Sequence, residues 1–208
     1  MELRQELAVR RHFMKTLLFI IISILTFNCS KKEEVNLNCE NLIKIDSLSF
    51  IKNKKIPLNF AQKSVLKKEN NEIKIQHLNH TFKDNLTDEN FMEYSIVGKF
   101  KKWNLILGQD YNQNYYYLVD KNKIDTLVGP PRVFENTILS IEEAHTDFQE
   151  KIEIWNIQES GKIILNKNFS LKKCYDFRIM ESYLFEKYLY LKTGVENRKS
   201  QFYKIKYK

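Results

Sequence analysis

From residue 42 onward the chain is built from short runs in which apolar and polar residues alternate. The first half contains Leu42-Ile43-Lys44-Ile45, Glu72-Ile73-Lys74-Ile75, Glu93-Tyr94-Ser95-Ile96-Val97, Trp103-Asn104-Leu105-Ile106-Leu107 and Tyr115-Tyr116-Tyr117-Leu118-Val119. The second half continues with Thr137-Ile138-Leu139-Ser140-Ile141, Lys151-Ile152-Glu153-Ile154-Trp155, Lys162-Ile163-Ile164-Leu165, Tyr188-Leu189-Tyr190-Leu191 and Phe202-Tyr203-Lys204-Ile205. A period of two sends successive side chains to opposite faces, so each run predicts a strand. A parallel α/β fold would need helices in the gaps, and only Phe60 to Lys68 offers a weakly amphipathic one. The remaining gaps hold turn residues. Asp120-Lys121-Asn122-Lys123 and Gln158-Glu159-Ser160-Gly161 read as tight hairpins, with Gly161 placed where a positive φ is tolerated. The expectation is an all-β domain arranged as an antiparallel meander.

The runs also repeat as a set. Leu105-Ile106-Leu107, Tyr116 to Asp120 and Ile124-Asp125-Thr126-Leu127 are echoed by Ile138 to Ile141, Ile152 to Ile157 and Lys162 to Leu165. Tyr188 to Leu191 followed by Phe202 to Tyr207 forms an incomplete third copy. Three strands ending in a polar hairpin and recurring in this way resemble the blades of a small β-propeller, although a sandwich accounts for the same strings. If a propeller closes, its last copy needs a strand from the amino-terminal part, within Leu42 to Phe50, to cover the edge.

A different pattern occupies the amino terminus. Leu17 to Phe27 is an apolar stretch of 11 residues, preceded by Arg10, Arg11, His12 and Lys15 and ended by the charges of Lys31-Lys32-Glu33-Glu34. A positive region followed by so short an apolar core matches a secretory signal, since a membrane span takes roughly 20 apolar residues. Its end, Leu25-Thr26-Phe27-Asn28-Cys29, resembles the lipobox of bacterial lipoproteins, and the tail Ser30-Lys31-Lys32-Glu33-Glu34 is similar to the export tag of Bacteroidota lipoproteins. Asn28 stands where small residues are usual. The resemblance implies diacylglycerol on the Cys29 thiol, cleavage before it and acylation of the new terminus. It also implies an outer-membrane address, with exposure at the cell surface. The corresponding division is a signal segment over 1–28, a lipidated cysteine and polar tether over 29–38, and an all-β domain over 39–208. Met14-Lys15-Thr16 begins a signal of ordinary length, so Met1 to Phe13 reads as an upstream start.

Composition narrows the partners. The 208 residues carry 34 Lys and Arg against 26 Asp and Glu, a formal net charge of +8. Only 6 of the cations are Arg, and three of those, Arg4, Arg10 and Arg11, precede the apolar stretch. Base edges and phosphates are gripped best by the planar guanidinium, so the excess of Lys argues against a nucleic-acid partner. The cysteines are Cys29, Cys39 and Cys174, without a C-x-x-C pair or histidines at zinc spacing. With Cys29 lipidated, Cys39 and Cys174 are the remaining pair for a disulfide in an oxidising compartment.

Residues with chemistry are few. His77 and His80 stand three apart, which on a strand sends them to opposite faces, so no metal site is expected. Glu142-Glu143-Ala144-His145-Thr146-Asp147 gathers carboxylates and an imidazole after a strand, the one place that suggests a small envelope hydrolase. No P-loop, dinucleotide fingerprint or nucleophile elbow is present, and no cofactor is expected. Tyr111, Tyr115 and Tyr117 form the conspicuous aromatic group, with rings that stack on sugars if exposed. The resulting expectation is a lipid-anchored binding or scaffold module at the envelope, with a glycan or an envelope protein as ligand. The alternatives are the hydrolase and an immunity-type inhibitor.

Overall fold

The computed structural model describes residues 34–38, 40, 42–58, 64–67, 72–75, 80–83, 92–142, 150–172, 178–194 and 199–208. Cys29, Cys39, Cys174, His77 and 143–147 therefore lie outside the described residues. Among the described residues sixteen strands and one short helix follow in order: β1 (Glu34–Asn38), β2 (Ile43–Ile45), α1 (Ser47–Lys52), β3 (Ser64–Val65), β4 (Glu72–Lys74) and β5 (Thr81–Lys83). Then come β6 (Glu93–Phe100), β7 (Trp103–Gln109), β8 (Asn114–Val119), β9 (Ile124–Leu127), β10 (Pro131–Phe134) and β11 (Thr137–Ile141). The chain ends with β12 (Glu150–Ile157), β13 (Ile163–Lys172), β14 (Ile179–Phe185), β15 (Tyr188–Thr193) and β16 (Gln201–Lys206).

The expected all-β class is the observed one, and every alternating run named above contains a strand. Three sheets contain a four-strand antiparallel meander: β6-β7-β8-β9, β10-β11-β12-β13 and β14-β15-β16-β2. The sequence repeat corresponds to the second to fourth strands of the first two and, in its incomplete third copy, to the second and third strands of the last. The last sheet is completed from the amino-terminal part, Ile43–Ile45 pairing with Lys204 to Phe202, and the rest of Leu42 to Phe50 turns into α1. Within Phe60 to Lys68, the weakly amphipathic stretch, Ser64–Val65 is β3, which pairs with β6. Helix formation falls instead to Asp46-Ser47-Leu48-Ser49. Asp46 caps it by accepting the Ser49 amide at 2.8 Å and the Ser49 hydroxyl at 2.7 Å.

Glu34–Asn38, expected as tether, is β1. It runs parallel to β13 with Glu34 opposite Asn168 and Asn38 opposite Lys172. Backbone pairing at an edge asks nothing of the outward side chains, so a polar Glu-Val-Asn-Leu-Asn string can serve, and Leu37 supplies one contact to the core. The compact unit that contains the sheets accordingly begins at Glu34.

Three apolar cores separate successive sheets. Ile73 and Phe82 meet Ile106 and Val119 in the first; Leu105 and Leu118 meet Ile138 and Trp155 in the second; Leu139 and Ile154 meet Leu189 and Leu191 in the third. Alternation on one strand feeds two cores, as with Leu105 and Ile106 on β7 or Ile138 and Leu139 on β11. On β13 a bulge does the same for residues of one parity. Trp155 pairs with Leu165 and Ile154 with Lys167, leaving Asn166 extra. Ile163 and Leu165 therefore face one core while Phe169 and Leu171 face the other.

Buried and half-buried polar bonds reinforce the sheets. The Trp103 indole donates to the Gly161 carbonyl at 2.8 Å, the Ser140 hydroxyl bridges the Gly129 backbone, and Arg132 donates to Ser182 Oγ at 2.7 Å. Glu153, buried, accepts from the Trp155 indole at 3.1 Å and the Val128 amide at 3.3 Å. The first strand of each meander turns back through a two-residue loop, and the leading loop residue has positive φ: Lys101, Glu135 and Glu186. Each follows a phenylalanine, Phe100, Phe134 or Phe185. Right-twisted strands need such a backbone at that position, which costs a residue with a Cβ some strain.

Candidate functional site

The most exposed aromatic side chain of the described residues is at the tip of the β7–β8 hairpin. Tyr111 is 81% exposed and borders an open concavity of about 300 Å³ shared with Glu93, Gln109 and Asp110. Asp110 organises the turn. Its Oδ1 accepts the amides of Asn112 and Gln113, both at 2.7 Å, and its own amide donates to the Gln113 carbonyl. Its Oδ2 accepts the Tyr115 hydroxyl at 3.2 Å, and that hydroxyl in turn accepts from the Gln113 side-chain amide. The two backbone amides hold the Asp110 carboxyl below its ordinary range, and the Tyr115 hydroxyl is pushed up by burial and then by the Asp110 charge. The tip thus presents one outward ring beside two carboxylates and a primary amide on a hydrogen-bonded frame.

The three expected tyrosines part company here. Tyr111 is at the concavity, and Tyr115 stands behind it as a brace. Tyr117, on the same face of β8 as Tyr115, points its ring inward against Phe82, with centroids 5.6 Å apart. Burial pushes its hydroxyl pKa up. Tyr116 takes the opposite face and packs on the second core. Gln109 and Asp110 fall outside the alternating runs, and Glu93 opens one without being marked as a site residue. Asp110-Tyr111-Asn112-Gln113 is nevertheless a turn string between two runs, which was the available signal.

Of the Glu142 to Asp147 loop only Glu142 is described. It is half-buried, pairs with Lys151 at 3.9 Å, and lines a concavity of about 70 Å³ with Gly129 and Pro130. No second acid is brought to it among the described residues lining that space. His80 precedes β5, and its Nε2 is buried without a hydrogen-bond partner among the described residues. No group of three or more His, Cys, Asp or Glu that could hold a metal occurs among the described residues. A further concavity of about 330 Å³ lies at the loops β10–β11 and β14–β15, where Glu135, Glu186, Lys55 and Lys208 surround Phe134 and Phe185. No helix among the described residues is long and apolar enough to cross a membrane.

Comparisons with protein-family models, with curated proteins and with solved structures find no match.

Proposed function

We propose that this is an exported envelope lipoprotein, anchored through Cys29, whose β domain binds a glycan at the Tyr111 hairpin. The observation that carries the binding reading is the exposed Tyr111 ring beside Glu93, Gln109 and Asp110. A sugar offers an apolar face of C–H groups and a rim of hydroxyls. An aromatic ring takes the first, while carboxylate and amide groups take the second. Asp110 fixes the loop before ligand arrives, which lowers the ordering cost of binding. The four-strand units in series, with β2 completing the last, favour a propeller-like arrangement, in which loops carry recognition on rigid sheets.

The export reading rests on the signal and lipobox pattern and brings with it an oxidising compartment. β1 and β13 are in register to Asn38 and Lys172, and Cys39 and Cys174 follow those residues by one and two positions. A disulfide between Cys39 and Cys174 belongs to this export reading, since such bonds persist in an oxidising compartment.

Titration of purified protein with peptidoglycan fragments and surface polysaccharide oligomers tests the site. Tyr111→Ala should weaken binding on the order of tenfold, the equivalent of about 1.4 kcal/mol. Equal binding by both forms would sink the tyrosine site. Recovery from solubilised envelope of a protein partner whose activity is blocked would favour the inhibitor reading instead. Palmitate labelling that persists in Cys29→Ser would sink the anchor.

A further inference from the structure

Large apolar side chains left in water are concentrated in one stretch. Among the described residues, Ile43, Leu48, Ile51, Ile56 and Leu58 all lie exposed within 43–58, with Leu48 at 77%, Ile51 at 62% and Ile56 at 86%. The helix explains the first pair. Leu48 and Ile51 are three apart on α1 and share a face, while Phe50 points the other way, its ring 5.0 Å from Tyr183 and 5.1 Å from Phe202. The inner face is therefore satisfied by the third core, and the outer apolar face is surplus to folding. Within 43–58 the lysines Lys44, Lys52, Lys54 and Lys55 stand against the single acid Asp46, and Glu135 and Glu186 join Lys55 and Lys208 around the concavity that Ile56 borders. Lys54 is paired with Glu181, and the ammonium of Lys55 lies over the Phe185 ring at 5.4 Å.

We propose that this stretch is a bilayer-docking face, with Leu48, Ile51 and Ile56 entering the headgroup layer and the lysines meeting anionic lipid phosphates. Apolar side chains ringed by lysine are the composition that lies in a membrane interface. A second observation selects a bilayer over another occupant. Cys29 is five residues before Glu34, and Glu34 is already paired in β1. Five residues extend at most about 18 Å. An acylated Cys29 therefore keeps the β1 edge next to the bilayer, and Leu37 of β1 packs into the same core as Phe50 of α1. The docking face rests on the anchored reading above and adds an orientation to it: the domain would lie on its α1 side.

Amine-reactive footprinting of the processed, detergent-purified protein, read by mass spectrometry, tests this after reconstitution into vesicles of phosphatidylethanolamine and phosphatidylglycerol. Lys52 and Lys55 should be labelled several-fold more slowly than in detergent, while Lys121 in the β8–β9 loop keeps its rate. The combined Leu48→Asp, Ile51→Asp and Ile56→Asp variant should regain full labelling and still float with the vesicles. Flotation without protection overturns the docking face and leaves the anchor standing. Protection that rises with protein concentration in the absence of vesicles overturns it in favour of a second copy. Protection on vesicles with a mass showing Cys29 unmodified upholds the face and refutes the anchor.

Discussion

The sheet β10-β11-β12-β13 and the stretch 43–58 use the same residue types to opposite ends. Ile138, Leu139, Ile152 and Ile154 are all at 0% exposure, whereas Leu48 and Ile56 stand almost free in water. Hydrophobicity does not separate the two sets. What separates them is the number of covered faces. The sheet has a core on each side, so its inner strands bury side chains of both parities, the polar Ser140 and Glu153 included. α1 has one neighbour, so Phe50 is inside and its own helical neighbours are not. Burial is a property of the layer stacked above a residue, and an exposed apolar group marks a layer that the chain itself does not supply.

The largest way to break the contrast is to empty the doubly covered sheet. Trp155→Ala removes one of the two largest buried side chains and takes away the indole that donates to Glu153. Such truncations cost about 3–5 kcal/mol, which urea unfolding would report as a lowered midpoint with unchanged slope. Gly129→Ala attacks the same sheet from its connection. A Cβ there would stand 1.8 Å from the Ile141 carbonyl oxygen and 2.5 Å from its carbon, both main chain. Neither can rotate away, so the β9–β10 crossing must shift, at roughly 1–3 kcal/mol or more. A Gly129→Ala protein as stable as the parent would refute that close approach.

Much of the contrast was legible in the chain and some of it was not. Alternation found the strands whose neighbours cover them, such as β7, β11 and β12. It passed over β10, where Pro131 opens a four-residue strand, and β14, where Met180, at 57% exposure, is apolar but points outward. β1 was read as tether because edge pairing is made by backbone, which leaves no apolar signature. The faces of β8 followed from parity alone, but where along one of them Phe82 packs depended on β5, and so Tyr117 could not be told from Tyr115 in advance. The Asn166 bulge, which decides where Phe169 and Leu165 go, has no sequence mark of its own. For the same reason the site was half-visible: the aromatics stood out, whereas Glu93 joins Asp110 only through the β6–β7 pairing, Glu93 opposite Gln109.

A smaller test separates the core from the tips. Trp103→Phe keeps most of the apolar bulk but strips the donor from the buried Gly161 carbonyl, for about 1 kcal/mol. Acid should act on the tips. Asp110 is held below its ordinary value by the Asn112 and Gln113 amides. Burial pushes Asp120 up, but the Asn122 amide and Lys102 outweigh it and leave it lowered. A lowered carboxyl contributes stability that is complete above its unfolded value, about 3.9, and is lost as pH falls through the folded value. Amide exchange at Asn112 and Asn122, together with Tyr111-dependent glycan binding, should therefore hold steady from neutral pH to about pH 4 and fail only below it. Loosening of the tips near neutrality would mean that the carboxylates are not what brace them.

The smallest expected effect is the most discriminating for the exposed region. If Leu48 and Ile51 belong to the fold, replacing them with Asp should cost what any partly buried leucine costs. If they belong to a bilayer that is absent in solution, Leu48→Asp and Ile51→Asp should leave the urea midpoint within about 0.5 kcal/mol of the parent, as substitutions away from packed features do. Phe50→Asp is the internal contrast. It sits on the same helix at 2% exposure, and its carbonyl accepts the Tyr183 hydroxyl. A carboxylate there would be left without a partner in the third core, so that variant should unfold. Two outward changes that are silent beside one inward change that is not would show that α1 is held by a single face, leaving the other for a surface outside the protein.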